Sequence, residues 1–597
     1  GYCIEDPRKF RTGFGGHTLA TSHVGIEFDG GPAVLQAVDN PPNSFTVDPE
    51  SHTYALQSDM DCTVTILPAE TALDAAVAYR PLYDKKPAPG VADLAGRFCF
   101  DIWGGRYAAI AENMARMIRY GLTDSFLTVH NWQRWGYDYR LPDVYPPNPA
   151  LGSVEDLSRL CRNHDVPWGL HDNYIDFYPD AEDFSYRHVY FTPDGRPRRA
   201  WYNESRDAQS YKWRPDRILP FIRRNYALIQ PALRPTHTFL DVFTSSGCPD
   251  FRDHEGAFHS SLETRRCWGE AFAAIREMLG GNAPTTSEAG HDQLIGYLDG
   301  ADCQWFRLSP EPRKHVMTMH CADWERVPWF DAVNHHRFIL HGVGYSVRYQ
   351  GGRMREFHGI NSDDYISAEI LSGHALMTDA GSWGRDAVRK YYLAQDLMRH
   401  LALAKIDDVT FVDGDMHRQR VRWENGTVVS VNRGPSEWRV EDRILPQYGV
   451  YARHGDNWVC IEKKAQHYAE SSRGSSGWYC NARTLGAGRQ RRLRIQPAVE
   501  NFRQTGPGRF SWTMRWDVET APPDNQRVFV HFCSEPKGGK KGSILFQDDH
   551  TPDRPTSRWQ DTVRIDRTVT IPESAESPVR VLVGLHGERG RALLRGH

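Results

Sequence analysis

From Arg97 to about residue 400 the chain alternates short apolar runs with helical stretches, and this rhythm constrains the fold more than any other feature. FCFDIWG (98–104) reads as a strand. RYAAIAENMARMIRYG (106–121) places Ala109, Ile110, Met114, Met117 and Ile118 at helical spacing and closes on Gly121. SFLTVHNW (125–132) is the next strand, and SVEDLSRLCRNHD (153–165) is a helix with Ser153 as cap and Asp156 as first-turn acid. VPWGLHDNYIDFYPD is a strand with its loop, and DRILPFIRRNYALIQPAL is a helix broken near Pro231. THTFLDVFTS is a strand, and SSLETRRCWGEAFAAIREMLGG (260–281) is a helix ended by Gly-Gly. PTTSEAG, DCQWFRL and GVGYSVRY are later strands. Such alternation gives a (β/α) barrel or an open parallel sheet. The polar and aromatic residues that follow each strand favour a (β/α)8 TIM-type barrel over residues 96–403.

The flanks read as all-β. Residues 1–95 carry VGIEFDG, AVLQAV and CTVTILPA between turn clusters, and the basic, Pro- and Gly-rich YDKKPAPGVADLAG reads as a linker. Residues 404–485 form a β-sandwich, with a hairpin turning at Asn425-Gly426. Residues 486–597 form a second, jelly-roll-like β domain of the kind that binds carbohydrate. A chain of 597 residues needs several such cores.

Composition narrows the function. A net charge of −4 argues against nucleic acid or an anionic membrane as the main partner. No run approaches the roughly 18 apolar residues of a membrane span. The chain starts at Gly1 without a charged-then-apolar leader, so either a signal has been removed or the chain is trimmed. The 18 tryptophans suit stacking on sugar faces, although bulky core filling accounts for at least half of them. Eleven cysteines show no CxxC pattern, and a pair such as Cys460 with Cys480 stays open.

Asp241 is a lone carboxylate in the apolar run of THTFLDVFTS, a costly placement unless it is paired or used. Glu288 ends the short Thr/Ser run of PTTSEAG one βα unit later. Glycoside cleavage needs two such carboxyls, one to attack or activate water and one to protonate the leaving oxygen. Asp101, Asp172, Asp302 and Asp379 also fall near strand ends. His171, Asp172 and Asn173 follow a strand and suit sugar hydroxyls, with a turn or helix cap as the plain alternative. Asn131, Trp132, Asp101, Trp103 and Trp305 complete the candidate sugar-binding set. Asp176, Asp180, Glu182 and Asp183 could ligate calcium, but their spacing lacks the EF-hand pattern and a solvated acidic loop is the simpler reading. His315, His320, His335, His336 and His341 show no metal spacing and read as packing histidines; no metal or other cofactor is required.

At THTFLDVFTS, GLHDNYIDFYPD and PTTSEAGHD the chain resembles the bacterial endo-α-N-acetylgalactosaminidases and related α-N-acetylgalactosaminidases that act on mucin-type O-glycans. The resemblance spans about residues 90–455 and includes VNRGPSEWRVEDRILPQYGVYA (431–452), similar to the sandwich after such barrels. It implies a (β/α)8 barrel flanked by β-sandwiches and a retaining reaction, with Asp241 as nucleophile and Glu288 as acid/base. It also implies that the His171-Asp172-Asn173 loop lines the −1 subsite. Few extra modules and a short N-terminal β region point to a compact, exo-acting enzyme. Calcium in some relatives keeps the acidic loop a candidate.

The expectation is a retaining α-glycoside hydrolase, secreted or periplasmic, acting on a glycan or glycoprotein, most specifically an α-N-acetylgalactosaminide. The alternatives are an α-galactosidase or α-glucosidase on the same fold, or a non-catalytic glycan-binding protein on a decayed barrel.

Overall fold

The computed structural model describes residues 1, 3, 9–162, 166–303, 325–344, 359–464, 467–475, 477–484, 495–519, 521–522, 525–534, 543–572, 580–587 and 590–591. Two compact units divide the chain at Arg483/Thr484.

The first unit is built on eight parallel strands taken in chain order. They are β1 (Phe98–Trp103), β2 (Ser125–His130), β3 (Trp168–Asp172), β4 (His237–Leu240), β5 (Thr285–Ala289), β6 (Gly300–Cys303), β7 (Ile339–His341) and β8 (Met377–Asp379). β8 pairs with β1, and a parallel bridge from His341 to Ala375 closes the ring between β7 and β8. That bridge is held by Ala375 N–H to the Leu340 carbonyl at 3.0 Å and Gly342 N–H to the Ala375 carbonyl at 2.9 Å. The barrel strands are buried nearly throughout, as strands covered by helices outside and side chains inside must be.

Helices follow β1 to β4 as expected: α1 (Tyr107–Arg119), α2 (Val154–Arg162), α3 (Leu219–Leu233) and α4 (Ser261–Leu279). Ser153 and Asp156 form reciprocal bonds at the start of α2, Asp156 N–H to Ser153 Oγ and Ser153 N–H to Asp156 Oδ2, each 3.0 Å. Pro231 does not break α3, which runs through it to a left-handed Arg234. It lies in the last turn, where its missing N–H removes one i→i−4 bond and the helix ends two residues later. Between β5 and β6 only a single turn of 3₁₀ helix, Asp292–Leu294, replaces a helix. α5 (Trp329–Asn334), α6 (Asp363–Ser372) and α7 (Arg385–Leu401) complete the ring. The seventh strand is Ile339–His341, and Gly342–Gly344 bend after it; residues 345–349 of GVGYSVRY lie outside the described residues. Of DCQWFRL, only Asp302 and Cys303 are described, both in β6.

The N-terminal region forms two three-stranded antiparallel sheets, Phe10–Gly13 with Ser44–Asp48 and Thr53–Gln57, and His23–Glu27 with Ala33–Val38 and Val64–Ala69. It is not all-β: Thr71 and Asp74 make a capping box that starts a helix, Ala72–Tyr79. Nor is the Pro/Gly-rich stretch a free linker. Tyr83, Ala88, Val91 and Leu94 are buried, and the Gly90 amide donates to Asp299 at 2.7 Å.

After α7 a seven-stranded antiparallel sheet runs from Ile406 to Thr484, with the hairpin Arg418–Trp423/Val428–Asn432 turning through Gly426 at φ 84°. Its inner face, including Val421, Trp423, Val429 and Val450, shares a core with Leu371 and Leu397 of α6 and α7, and a small hairpin (Trp438–Val440/Arg443–Leu445) packs against Cys460 beyond. Cys460 is a buried free thiol and Cys480 an exposed one, on strands separated by a third, so they are not bridged.

The second unit pairs a three-stranded and a four-stranded antiparallel sheet around Trp512, Met514, Trp516, Val530 and Trp559. Among the described residues no helix is long and apolar enough to cross a membrane.

Candidate active site

Parallel register brings the two carboxylates together. Leu240, the last residue of β4, pairs with Ser287 of β5, so Asp241 just after β4 and Glu288 within β5 come next in that register at the C-terminal rim. The Asp241 amide continues the ladder on the other side, donating to the Asp172 carbonyl at 2.8 Å. Both side chains are largely covered, with 4% and 6% of the residue surface exposed. The backbone turns sharply just after each acid. Val242 has φ 73° and Ala289 φ 72°, a left-handed conformation that is strained for a β-branched residue. Thr244 ties the two turns together, its amide donating to Ser287 Oγ at 3.2 Å and its hydroxyl to the Glu288 carbonyl at 2.7 Å.

Each acid has a dedicated polar neighbour. The Tyr137 hydroxyl donates to Asp241 Oδ2 at 2.7 Å. Burial first, then the charges of Asp241, Asp138 and Glu288, push the Tyr137 phenol far up, so it stays protonated and donates. His171 Nε2 lies 3.8 Å from the same oxygen. Glu288 Oε1 meets His17 Nε2, from the N-terminal region, at 3.3 Å. Asp138, beside Asp241 and Asp176, is pushed by burial up to about 9.

A buried chain of groups runs beneath Asp241. Asp101 Oδ1 contacts His130 Nε2, His130 Nδ1 lies 2.6 Å from His171 Nδ1, and His171 Nε2 faces Asp241. Burial drives both imidazoles well below their ordinary value, so both are neutral, and it holds the Asp101 carboxyl well above its own. With the proton on Asp101 every donor points one way: Asp101 to His130, His130 to His171, and His171 N–H toward Asp241. Trp103 stacks on His130 with ring centroids 4.0 Å apart and donates its indole N–H to Asp101 Oδ2 at 2.9 Å.

Asp101, His130 and Asp302 are also the one group of three ligand side chains, among the described residues, whose ligand atoms lie within 4.8 Å of one another. Among the described residues, neither oxygen of Asp302 has a hydrogen-bond partner. Burial and the nearby Asp101 hold its carboxyl well above the ordinary range. These three could hold a cation if both carboxyls ionised. In the 176–183 loop the acids face protein donors, Glu182 and Asp183 the same one. Asp176 takes Asn173 Nδ2 at 2.9 Å and Ser210 Oγ at 3.0 Å, Asp180 takes Arg206 at 2.7 Å, and Glu182 and Asp183 face Arg224 at 3.8 and 3.4 Å.

The sugar-binding candidates divide. Trp103 is partly exposed beside Tyr137 and His171. Asn131 turns out of β2 at φ 56°, and its side-chain oxygen has no hydrogen-bond partner among the described residues. The others are turned inward. Trp132 is fully buried and donates to the His171 carbonyl at 2.6 Å. Asn173 Oδ1 accepts from the amides of Ile175 and Asp176, a turn-forming role. Asp172 accepts from Asn173 N–H at 3.0 Å and Tyr174 O–H at 2.5 Å. Asp101 is engaged by His130 and Trp103. Trp305, His315 and His320 lie outside the described residues. His335 is buried with its ring nitrogens 2.9 and 3.0 Å from the Ala404 and Gly373 carbonyls, and its one N–H donates to one of them, as a packing histidine does. Tyr137, His17 and His130 reach the site without a periodic signal in the sequence. The only local hint is Gly15-Gly16 before His17, a place where backbones can approach closely.

No protein-family model and no curated protein sequence matches the chain. Solved structures do. The α-N-acetylgalactosaminidase NagBb of Bifidobacterium bifidum in its GalNAc complex superposes at a TM-score of 0.57 with 19% identity, over 71% of this chain and 76% of that one. Its Gal-NHAc-DNJ complex gives 0.57 and 18% over 71% and 75%. An α-galactosidase of Thermus thermophilus in complex with stachyose aligns at 0.42 and 14%, over 62% and 78%, too loosely to argue from. The chain is therefore a (β/α)8 barrel with β flanks, sharing the NagBb fold.

Proposed function

We propose that the protein is a retaining α-glycoside hydrolase whose substrate is an α-N-acetylgalactosaminide of the mucin O-glycan type. The observation that carries this is the placement of Asp241 and Glu288, each the residue after the Leu240–Ser287 pair of adjacent strands, at the rim and directly before a left-handed turn. The NagBb-like fold supports the sugar. Asp241, oriented by the Tyr137 hydroxyl, attacks the anomeric carbon to form a glycosyl-enzyme. Glu288 gives its proton to the departing oxygen, then takes one from the water that releases the sugar. Trp103 and Asn131 face the −1 sugar. Asp101, His130, His171, Asp172, Asn173 and Trp132 form the buried support that fixes Asp241 and the rim.

A panel of aryl α-glycosides including the α-N-acetylgalactosaminide tests the sugar, with α-galactoside and α-glucoside as its competitors; binding without any release would indicate a lectin-like protein. Asp241→Asn is expected to lower kcat by about three orders of magnitude or more. Glu288→Ala should cost about 10²–10⁴-fold on poor leaving groups, far less on activated ones, and be partly rescued by azide. NMR should show the α anomer first; an initial β anomer excludes the mechanism.

A further inference from the structure

The loop that carries His17 belongs to the N-terminal β region, yet it is bonded to the two loops that follow the acids. Gly16 N–H donates to the Thr244 carbonyl at 3.0 Å and His17 N–H to the Ser245 carbonyl at 3.2 Å. A few residues on, Asp292 N–H donates to the Ala20 carbonyl at 3.0 Å, and Ser22 donates from both N–H and Oγ to Asp292 Oδ2 at 2.6 Å. The approach at Gly16 is so close that a β-carbon there would lie 2.2 Å from the Thr244 oxygen and 2.8 Å from both Ala289 Cβ and the Gly290 oxygen. The sequence thus spends a glycine to bring this segment onto the rim. What the segment delivers is His17, with its Nε2 3.3 Å from Glu288 Oε1 and 19% of its side chain exposed.

We infer that His17 is a positioning residue for the acid/base, supplied in cis by the N-terminal region; this rests on the glycosidase reading above. The Nε2–H of His17 donates to Oε1 of Glu288. This leaves Oε2 to carry the proton and aims it at the glycosidic oxygen. As the C–O bond breaks, that proton goes to the leaving oxygen and Asp241 forms the new bond to carbon. In the second step Oε2 takes a proton from water as the Asp241 ester opens. The His17 proton does not transfer; it fixes which carboxyl oxygen does. Among the described residues, the Glu288 charge also reaches Tyr137 and His171, and both belong to the Asp241 side.

The test compares two α-glycosides of one sugar, with nitrophenyl and alkyl leaving groups. His17→Ala is expected to lower kcat on the alkyl glycoside by about tenfold to a hundredfold and on the nitrophenyl glycoside by no more than about threefold. KM should be little changed. His17→Gln, which keeps an N–H donor, should recover most of the loss. Gly16→Ala moves the loop without altering any polar group and should reproduce the His17→Ala pattern while its thermal melt stays cooperative. Equal loss on both substrates, or none, overturns the inference alone, provided Glu288→Ala shows the leaving-group dependence. A wild-type protein that cleaves neither glycoside overturns the glycosidase reading and this inference with it.

Discussion

Asp172 shows how far a single carboxyl can depart from what its sequence neighbours suggest. It ends β3 between His171 and Asn173, a polar stretch in which a solvated, sugar-facing acid is the natural expectation. The structure buries it, and desolvation raises its pKa from 3.8 to about 7. In the unfolded chain it ionises near 3.8, while in the folded protein it stays neutral up to about 7. Its stabilising effect is therefore complete below about pH 4, falls as pH rises to about 7, and changes no further above that. Asp172→Asn keeps the shape and removes the titration. The melting temperature of the variant minus that of wild type should rise from pH 4 to pH 7 and then level off; a difference that falls over that range would contradict the burial. The same residues show what was readable. Asp241 and Glu288 stood out because each is an acid at the end of an apolar or β-favouring run. Tyr137 and His17 did not, because a hydrogen bond between residues more than a hundred positions apart leaves no local pattern.

Elements joined by few residues behave as one. The Pro/Gly-rich stretch after the N-terminal sheets looks in sequence like a tether, because basic residues, prolines and glycines usually avoid a core. Here it crosses the N-terminal end of the barrel, and Asp299 is the reason. Its Oδ2 accepts from Thr285 N–H at 2.7 Å and from Arg276 Nη2 at 2.9 Å, and its Oδ1 accepts from Gly90 N–H at 2.7 Å. One carboxylate thus joins α4, β5 and the crossing segment. Asp299→Ala would leave the buried Arg276 cation uncompensated, with an expected cost of about 3–5 kcal/mol. Urea unfolding measures it; a loss below about 1 kcal/mol would show that the elements hold without this node. Helices α1 to α4 were legible from their 3.6-residue spacing and their ends. The helix at Ala72–Tyr79 was hidden because it is only eight residues long, although Thr71 and Asp74 mark its start. The strand at Ile339–His341 went unread because its three residues are too few to show a period.

The whole molecule consists of two units with separate cores. The core around Trp512, Trp516 and Trp559 is drawn entirely from residues 495–585, and the barrel core and the sheet that follows it draw only on residues before Arg483. The candidate site, from His17 to Asp302, lies wholly in the first unit. A chain ending at Arg483 should therefore fold and turn over a small aryl α-glycoside at a rate within about threefold of the full chain, since its core loses no packed residue. A truncated protein that folds but is inactive would place part of the chemistry in the second unit.

The sequence by itself determined the alternation of strands and helices, the β flanks and the two carboxylates, because hydrophobic periodicity and a charge in an apolar run are local properties. Only the tertiary structure decided that β4 and β5 are neighbours in the register that carries Asp241 and Glu288 to the same rim, and that Tyr137 and His17 complete them. It also decided that Asp172, Asn173 and Trp132 turn inward. Ring closure sets which distant residues share a rim, and burial sets which polar groups stay open to a ligand. Neither is a property of any window of the chain.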